Sequence, residues 1–168
     1  MKPLKLAVIF ALVLALPAQA FEKPAQKHII AASSPYATQA GLEILRQGGS
    51  AVDAAIATQM VLTLVEPESS GIGGGAFMLL YDKKTGRITS FDGRETAPAS
   101  AKPTMFLDAN GKPRPHFDAV PGGLSVGVPG DIAMFEMAHR KYGKLAWAKL
   151  FQPAIKLSEK GFKVSGKL

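Results

Sequence analysis

A mixed α/β fold is predicted from three features of the sequence. Helical apolar spacing covers residues 36–47 and 50–65; a glycine run at 71–75 then gives way to two short apolar strands; and two more amphipathic segments follow at 131–142 and 145–160. Apolar residues recurring every three or four positions mark the helices, and apolar runs bounded by turn residues mark the hairpin.

The N-terminus comes first and has a purpose of its own. Lys2 and Lys5 precede a charge-free apolar run at 6–16, then Pro17 and the small-residue pattern Ala18-Gln19-Ala20. This is the layout of a cleavable export signal, with cleavage expected after Ala20 and residues 21–168 as the mature domain. The run is too short to cross a hydrocarbon core of about 30 Å as a helix, so no stable membrane anchor is expected. A periplasmic or secreted location follows. With no cysteine in the chain, lipidation at the cleavage site and disulfides are both excluded.

The short apolar run at 28–32 is expected to open the mature fold as a strand. Ser34-Pro35 then starts a helix, with serine as N-cap and proline in the first turn, where its missing N–H has no partner to lose. Gly48-Gly49 stops it. Ser50 with Asp53 forms a capping-box-like pair that opens the second helix. That helix is apolar nearly all round, which predicts burial on most sides, and Pro67 ends it. The glycine run leads into strand 76–81, residues 82–86 make a turn, and 87–91 return as the second strand. Residues 96–123, rich in Pro, Gly and Asp, read mainly as irregular chain, and 125–128 as a short strand. Pro129-Gly130 introduces the helix at 131–142. A last helix at 145–160 should turn Leu145, Leu150, Ala154 and Leu157 toward a core.

Charge narrows the partners. The formal net charge is +7, falling to +5 once Lys2 and Lys5 leave with the signal, and eight basic residues against Glu159 alone fall from Arg140 onward. These are interleaved with apolar residues at helical spacing, as on the wet face of an amphipathic helix, and an exported protein seldom meets DNA. No nucleic-acid partner is expected.

Few stretches suggest chemistry. The run at 71–76, GIGGGA, formally matches a dinucleotide fingerprint, but that motif follows a strand and opens a helix, whereas here a helix precedes and a strand follows. Its glycines are better read as allowing a sharp turn and close backbone packing at the entry to the strand. Asp92-Gly93-Arg94-Glu95 sits where the return strand ends. Arg94 either grips an anionic substrate through its two-pronged guanidinium or pairs with Asp92 or Glu95, and spacing alone favours the pairing. His28, His116 and His139 are isolated and no H-E-x-x-H occurs, so no metal site is expected. No cofactor motif and no G-x-S-x-G elbow is present. The residues by themselves do not reach a reaction.

Several runs are nevertheless familiar. ATQAGLEILRQGGSAVDAAIA at 37–57, VEPESSGIGGG at 65–75, DGRETAP at 92–98, GGLSVGVPG at 122–130 and GFKVS at 161–165 occur in that order. Together they closely resemble the N-terminal part of the large subunit of gamma-glutamyltransferases. The resemblance implies the N-terminal-nucleophile hydrolase fold, a four-layer αββα sandwich of which only the N-terminal portion is present. It also implies a precursor that cuts itself into large and small subunits. The small subunit's new N-terminal threonine is the nucleophile, with its own amine as base. It takes the gamma-glutamyl group from glutathione or a related donor and passes it to water, an amino acid or a peptide. Arg94 then matches the family's binder of the glutamyl α-carboxylate, reversing the preference from spacing, and Glu95 supports that arginine.

The resemblance also implies a limit. The chain stops within the large subunit, before the autocleavage site, so no catalytic residue is expected in it and alone it should not turn over substrate. Its expected partners are gamma-glutamyl compounds and the small subunit of the same precursor. The alternatives are a related cephalosporin (glutaryl) acylase, whose N-terminal motifs are shared, and a catalytically inactive truncated chain.

Overall fold

The computed structural model describes residues 27–166. The export signal lies outside them. The elements are α1 (Pro35–Arg46), α2 (Ala51–Val65), β1 (Ala76–Asp82), β2 (Arg87–Gly93), the short α3 (His116–Ala119), a 3-10 turn at Gly123–Ser125, α4 (Asp131–Tyr142), α5 (Trp147–Leu150) and α6 (Gln152–Lys160). No helix among the described residues is long and apolar enough to cross a membrane.

Helix α2 organises the rest. Its apolar surface is buried on most sides, as expected: Val52, Ala54, Ile56, Ala57, Met60, Val61 and Val65 are buried, while Ala51 and Ala55 are exposed. Helix α1 packs along one side, with Ala37 and Ala40 against Val61 and Val65. On the other side, Phe91 of β2, Met134, Phe135 and Ala138 of α4, and Leu150 of α5 close the main core. The hairpin is antiparallel, with Ala76 opposite Gly93 and Asp82 opposite Arg87. Strand alternation sends Met78, Leu80 and Phe91 to the core. The same alternation leaves Phe77, Leu79, Tyr81 and Ile88 largely exposed on the opposite face.

One carboxylate ties three elements together. Asp53 completes a true capping box with Ser50. Its Oδ2 accepts hydrogen bonds from the backbone N–H groups of Ser50 (2.8 Å), Lys144 (2.9 Å) and Leu145 (3.2 Å). Its Oδ1 lies 3.6 Å from His139 Nε2, and the side chain is fully buried. The start of α2 is thereby fastened to the end of α4 and to the chain entering α5. His139 also contacts the carbonyl of Leu145 (2.9 Å) and stacks near Trp147, a structural role.

Three expectations are corrected. Residues 28–32 form no strand: no strand among the described residues lies alongside to bond them, Ile29 is exposed, and Ile30 packs on the core near Gly41. Residues 125–128 are likewise not a strand. Ser125 ends the 3-10 turn, and Val128 alone pairs, with Thr96. The last helix is two. Pro153 cannot donate to the preceding turn, so the chain breaks at Phe151 and restarts with proline in the first turn of α6. Leu145, Leu150, Ala154 and Leu157 still face the core. The basic residues from Arg140 to Lys163 are exposed, as expected of a solvated face.

Replacing Asp53 with alanine strips the cap and orphans buried N–H groups. A loss of about 3 kcal/mol is expected in denaturant unfolding, with much less for Glu43→Ala on the exposed face of α1. Equal effects would deny the knot its role.

Candidate functional site

Strand β2 delivers Arg94 and Glu95 to the edge of the core, and three glycines make the delivery possible. A Cβ on Gly75 would come within 2.5 Å of the Gly93 carbonyl oxygen and 2.7 Å of Glu95 Oε2, and one on Gly93 within 2.6 Å of Met134 Cβ. A Cβ on Gly130 would strike the Gly93 carbonyl oxygen as well. The start of β1, the end of β2 and the start of α4 therefore cross at closer range than any side chain permits. The crossing is pinned by the Gly74 carbonyl, which accepts from Gly130 N–H (3.2 Å) and Asp131 N–H (3.3 Å). Gly75 shows the close packing expected of the glycine run, whereas a Cβ on Gly71 or Gly73 would meet nothing within 4 Å.

Beyond the crossing, Asp92 Oδ1 accepts the backbone N–H of Arg94 at 2.9 Å, which sets the turn without engaging the guanidinium. Arg94 Nε lies 3.8 Å from Glu95 Oε2, with the two side chains 72% and 36% exposed. Such a long, wet pair contributes little, about 0–1 kcal/mol. Glu95 itself is fixed from both sides: its side chain lies against Gly75 and Gly127. Thr96 and Val128 then exchange backbone hydrogen bonds of 3.2 and 2.8 Å, and Thr96 lines a cleft of about 390 Å³ that opens beside Arg94. Pairing of the guanidinium with Asp92, which spacing allowed, is not what the structure forms. Arg94 and Glu95 are brought together, with most of the arginine's donors facing solvent.

A residue with no clear sequence signal stands behind them. Asp131, the first residue of α4, is 1% exposed. Its Oδ1 has no hydrogen-bond partner among the described residues. Burial, and secondarily the negative charge of Glu95, push its carboxyl above the usual value of 3.8. Only the fold could reveal this, because Glu95 is far away in sequence. Among the described residues no group of three or more His, Asp or Glu side chains is placed to hold a metal ion.

The family model for gamma-glutamyltranspeptidase matches residues 37–168. The chain belongs to the gamma-glutamyltranspeptidase family. Over 140 residues it is 47% identical to a glutathione hydrolase proenzyme of Bacillus subtilis, a match covering 83% of this chain and 24% of that protein. The chain thus spans about a quarter of the length of the curated relatives it matches. Among solved structures, the gamma-glutamyltranspeptidase of Pseudomonas nitroreducens complexed with L-DON superposes with a TM-score of 0.79 at 39% identity. That match covers 85% of this chain and 42% of the other. A cephalosporin acylase of Bacillus halodurans superposes with a TM-score of 0.65 at 33% identity, over 90% of this chain and 29% of the other. The fold is accordingly the N-terminal portion of the gamma-glutamyltranspeptidase fold, an N-terminal-nucleophile hydrolase, and the matched gamma-glutamyltranspeptidases and glutathione hydrolases are enzymes.

Because the folded carboxyl of Asp131 titrates above its unfolded value, the stability it lends is complete below about pH 3.8 and is lost as pH rises through the folded value. Asp131→Asn, neutral throughout, should gain melting temperature relative to the parent as pH is raised from about 3.5 to about 7. A difference independent of pH would show that Asp131 does not carry this linkage.

Proposed function

We propose that this chain is the N-terminal part of the large subunit of an exported gamma-glutamyltransferase. The complete enzyme cleaves the gamma-glutamyl amide of glutathione and related donors. A threonine outside this chain forms the acyl-enzyme and passes the group to water, amino acids or peptides. In this proposal the signal is removed after Ala20 and the enzyme works in the periplasm or outside the cell. There it would meet gamma-glutamyl compounds apart from the cytosolic pool, which suits salvage.

Arg94 receives the donor's α-carboxylate and Glu95 steadies the arginine. The observation that carries this is the exposed guanidinium at the mouth of a cleft, its backbone fixed by Asp92 and the glycine crossing, its side chain only loosely paired. An arginine spent on structure would be paired closely; this one keeps its fork for a ligand. The names of the relatives support the substrate class. The open apolar face of the hairpin supports a second sheet layer, supplied by the rest of the precursor and covering Phe77, Leu79 and Tyr81.

A second reading, a glutaryl acylase, draws on the likeness to the cephalosporin acylase, since a glutaryl donor also carries a carboxylate for Arg94. Faster turnover of glutaryl-p-nitroanilide than of gamma-glutamyl-p-nitroanilide would favour it.

In the complete enzyme, Arg94→Ala should lower kcat/KM for gamma-glutamyl-p-nitroanilide by roughly 10²-fold, the loss expected for a two-pronged charged hydrogen bond. The KM for an acceptor such as glycylglycine should change much less. Equal losses for donor and acceptor would remove Arg94 from the donor site.

A further inference from the structure

Among the described residues the buried acids are Asp53, Glu66 and Asp131. Asp53 is spent on the helix knot, and Glu66 accepts the Ser33 hydroxyl at 2.8 Å. Asp131 differs: its Oδ1 meets no donor among the described residues, and this chain's own atoms seal it from solvent. A buried carboxylate without donors is costly, so the site favours the neutral acid.

The backbone fixes what this carboxyl faces. Asp131 N–H donates to the Gly74 carbonyl at 3.3 Å. Glu95 borders the same stretch: Cβ positions built on Gly74 and Gly75 fall 3.5 Å from its Oε1 and 2.7 Å from its Oε2. With Gly127 packed on its Cβ as well, Glu95 has little room to move away.

Few other charges bear on Asp131. The entry of β1 offers backbone alone, at Gly74 and Gly75. Beyond the end of β2 stand Arg94 and Glu95, while Asp92 is turned to the Arg94 N–H. Asp53, the charged residue of α2, is bound at the far end of α4. Along α4 itself the next charge, Glu136, pairs with Arg140 at the surface. Burial first, and the charge of Glu95 second, therefore set the state of Asp131.

Glu95 Oε2 in turn lies 3.8 Å from Arg94 Nε. A neutral Asp131 leaves the guanidinium with one carboxylate behind it. An ionised Asp131 adds a second negative charge and weakens the pull on a ligand carboxylate. By linkage, a bound ligand carboxylate strengthens the hold of Asp131 on its proton by the same factor. Further protein packed over the exposed side of Glu95 excludes water and strengthens the coupling.

We propose that Asp131 is a proton-carrying positioning residue behind the donor anchor: its neutral form supports donor binding, and its ionisation weakens it. The inference rests on Arg94 as the anion anchor of the proposed function.

The complete processed enzyme can be assayed with gamma-glutamyl-p-nitroanilide from about pH 4 to about pH 8, as parent and as Asp131→Asn. The donor KM of the parent should match that of the variant at the acid end and exceed it about fivefold at the alkaline end. The ratio of their kcat values, and of their KM values for glycylglycine, should not change with pH. A merely structural Asp131 would alter melting temperature and leave the donor KM ratio flat, and a flat ratio overturns the inference. Asp131→Ser, also neutral, serves the same comparison if Asp131→Asn fails to fold. In an Arg94→Ala background the pH-dependent ratio should vanish, and its persistence there would overturn the coupling through the anchor. A donor KM unchanged by Arg94→Ala itself would overturn the anchor and the inference together. A KM raised by Arg94→Ala, with a flat parent-to-Asn ratio, would overturn the role of Asp131 alone.

Discussion

The close crossing of three backbone segments at Gly75, Gly93 and Gly130 is the constraint on which the site depends. It brings the entry of β1, the exit of β2 and the start of α4 to distances that exclude a Cβ at each position. The hydrogen bonds from Gly130 and Asp131 to the Gly74 carbonyl hold that geometry. Because the crossing is made of main chain packed on Met134, it inherits the rigidity of the core. Arg94 is the next residue out. Its placement is therefore set by the backbone, while its long side chain stays available.

The Asp53 knot does for the helices what the glycine crossing does for the strands. It joins the start of α2 to the end of α4, the helix whose other end enters the crossing. Core burial along α2 supplies the bulk of the stabilisation, and the two polar fixtures decide how the elements meet. The cleft beside Arg94 is built from irregular chain between these fixtures. Its walls, from residues 97 to 127, contain little regular structure and rely on short-range bonds and on the Thr96–Val128 pair.

Local rules made much of this legible. The serine–aspartate cap, the proline in the first turn of α1, the all-round apolar α2 and the hairpin each follow from residue chemistry within a few positions. The rules failed where partners are distant. Residues 28–32 have the composition of a strand, but a strand exists only beside another. Pro153 is a local signal against one continuous helix, and the chain breaks beside it although helical apolar spacing continues on both sides. Arg94 was visible as a candidate but undecided, because spacing could not show that Asp92 would take the backbone N–H and leave the guanidinium loosely paired. The burial of Asp131 beside Glu95, and the reach of Asp53 to Lys144 and Leu145, are tertiary facts with no local signature. The resemblance of the glycine, DGRE and PG runs to gamma-glutamyltransferases identified the family, and the crossing explains the glycines at 75, 93 and 130 that these runs contribute.

The assignment of Arg94 can be tested by direct observation. A crystal structure of the complete processed enzyme with glutamate bound should place two guanidinium nitrogens of Arg94 about 2.7–3.0 Å from the two oxygens of the α-carboxylate. Glu95 should remain against the guanidinium's far side, and the backbone at Gly75, Gly93 and Gly130 should be unchanged. A glutamate whose α-carboxylate is held by other residues, with Arg94 turned to solvent or locked onto a protein carboxylate, would contradict the assignment.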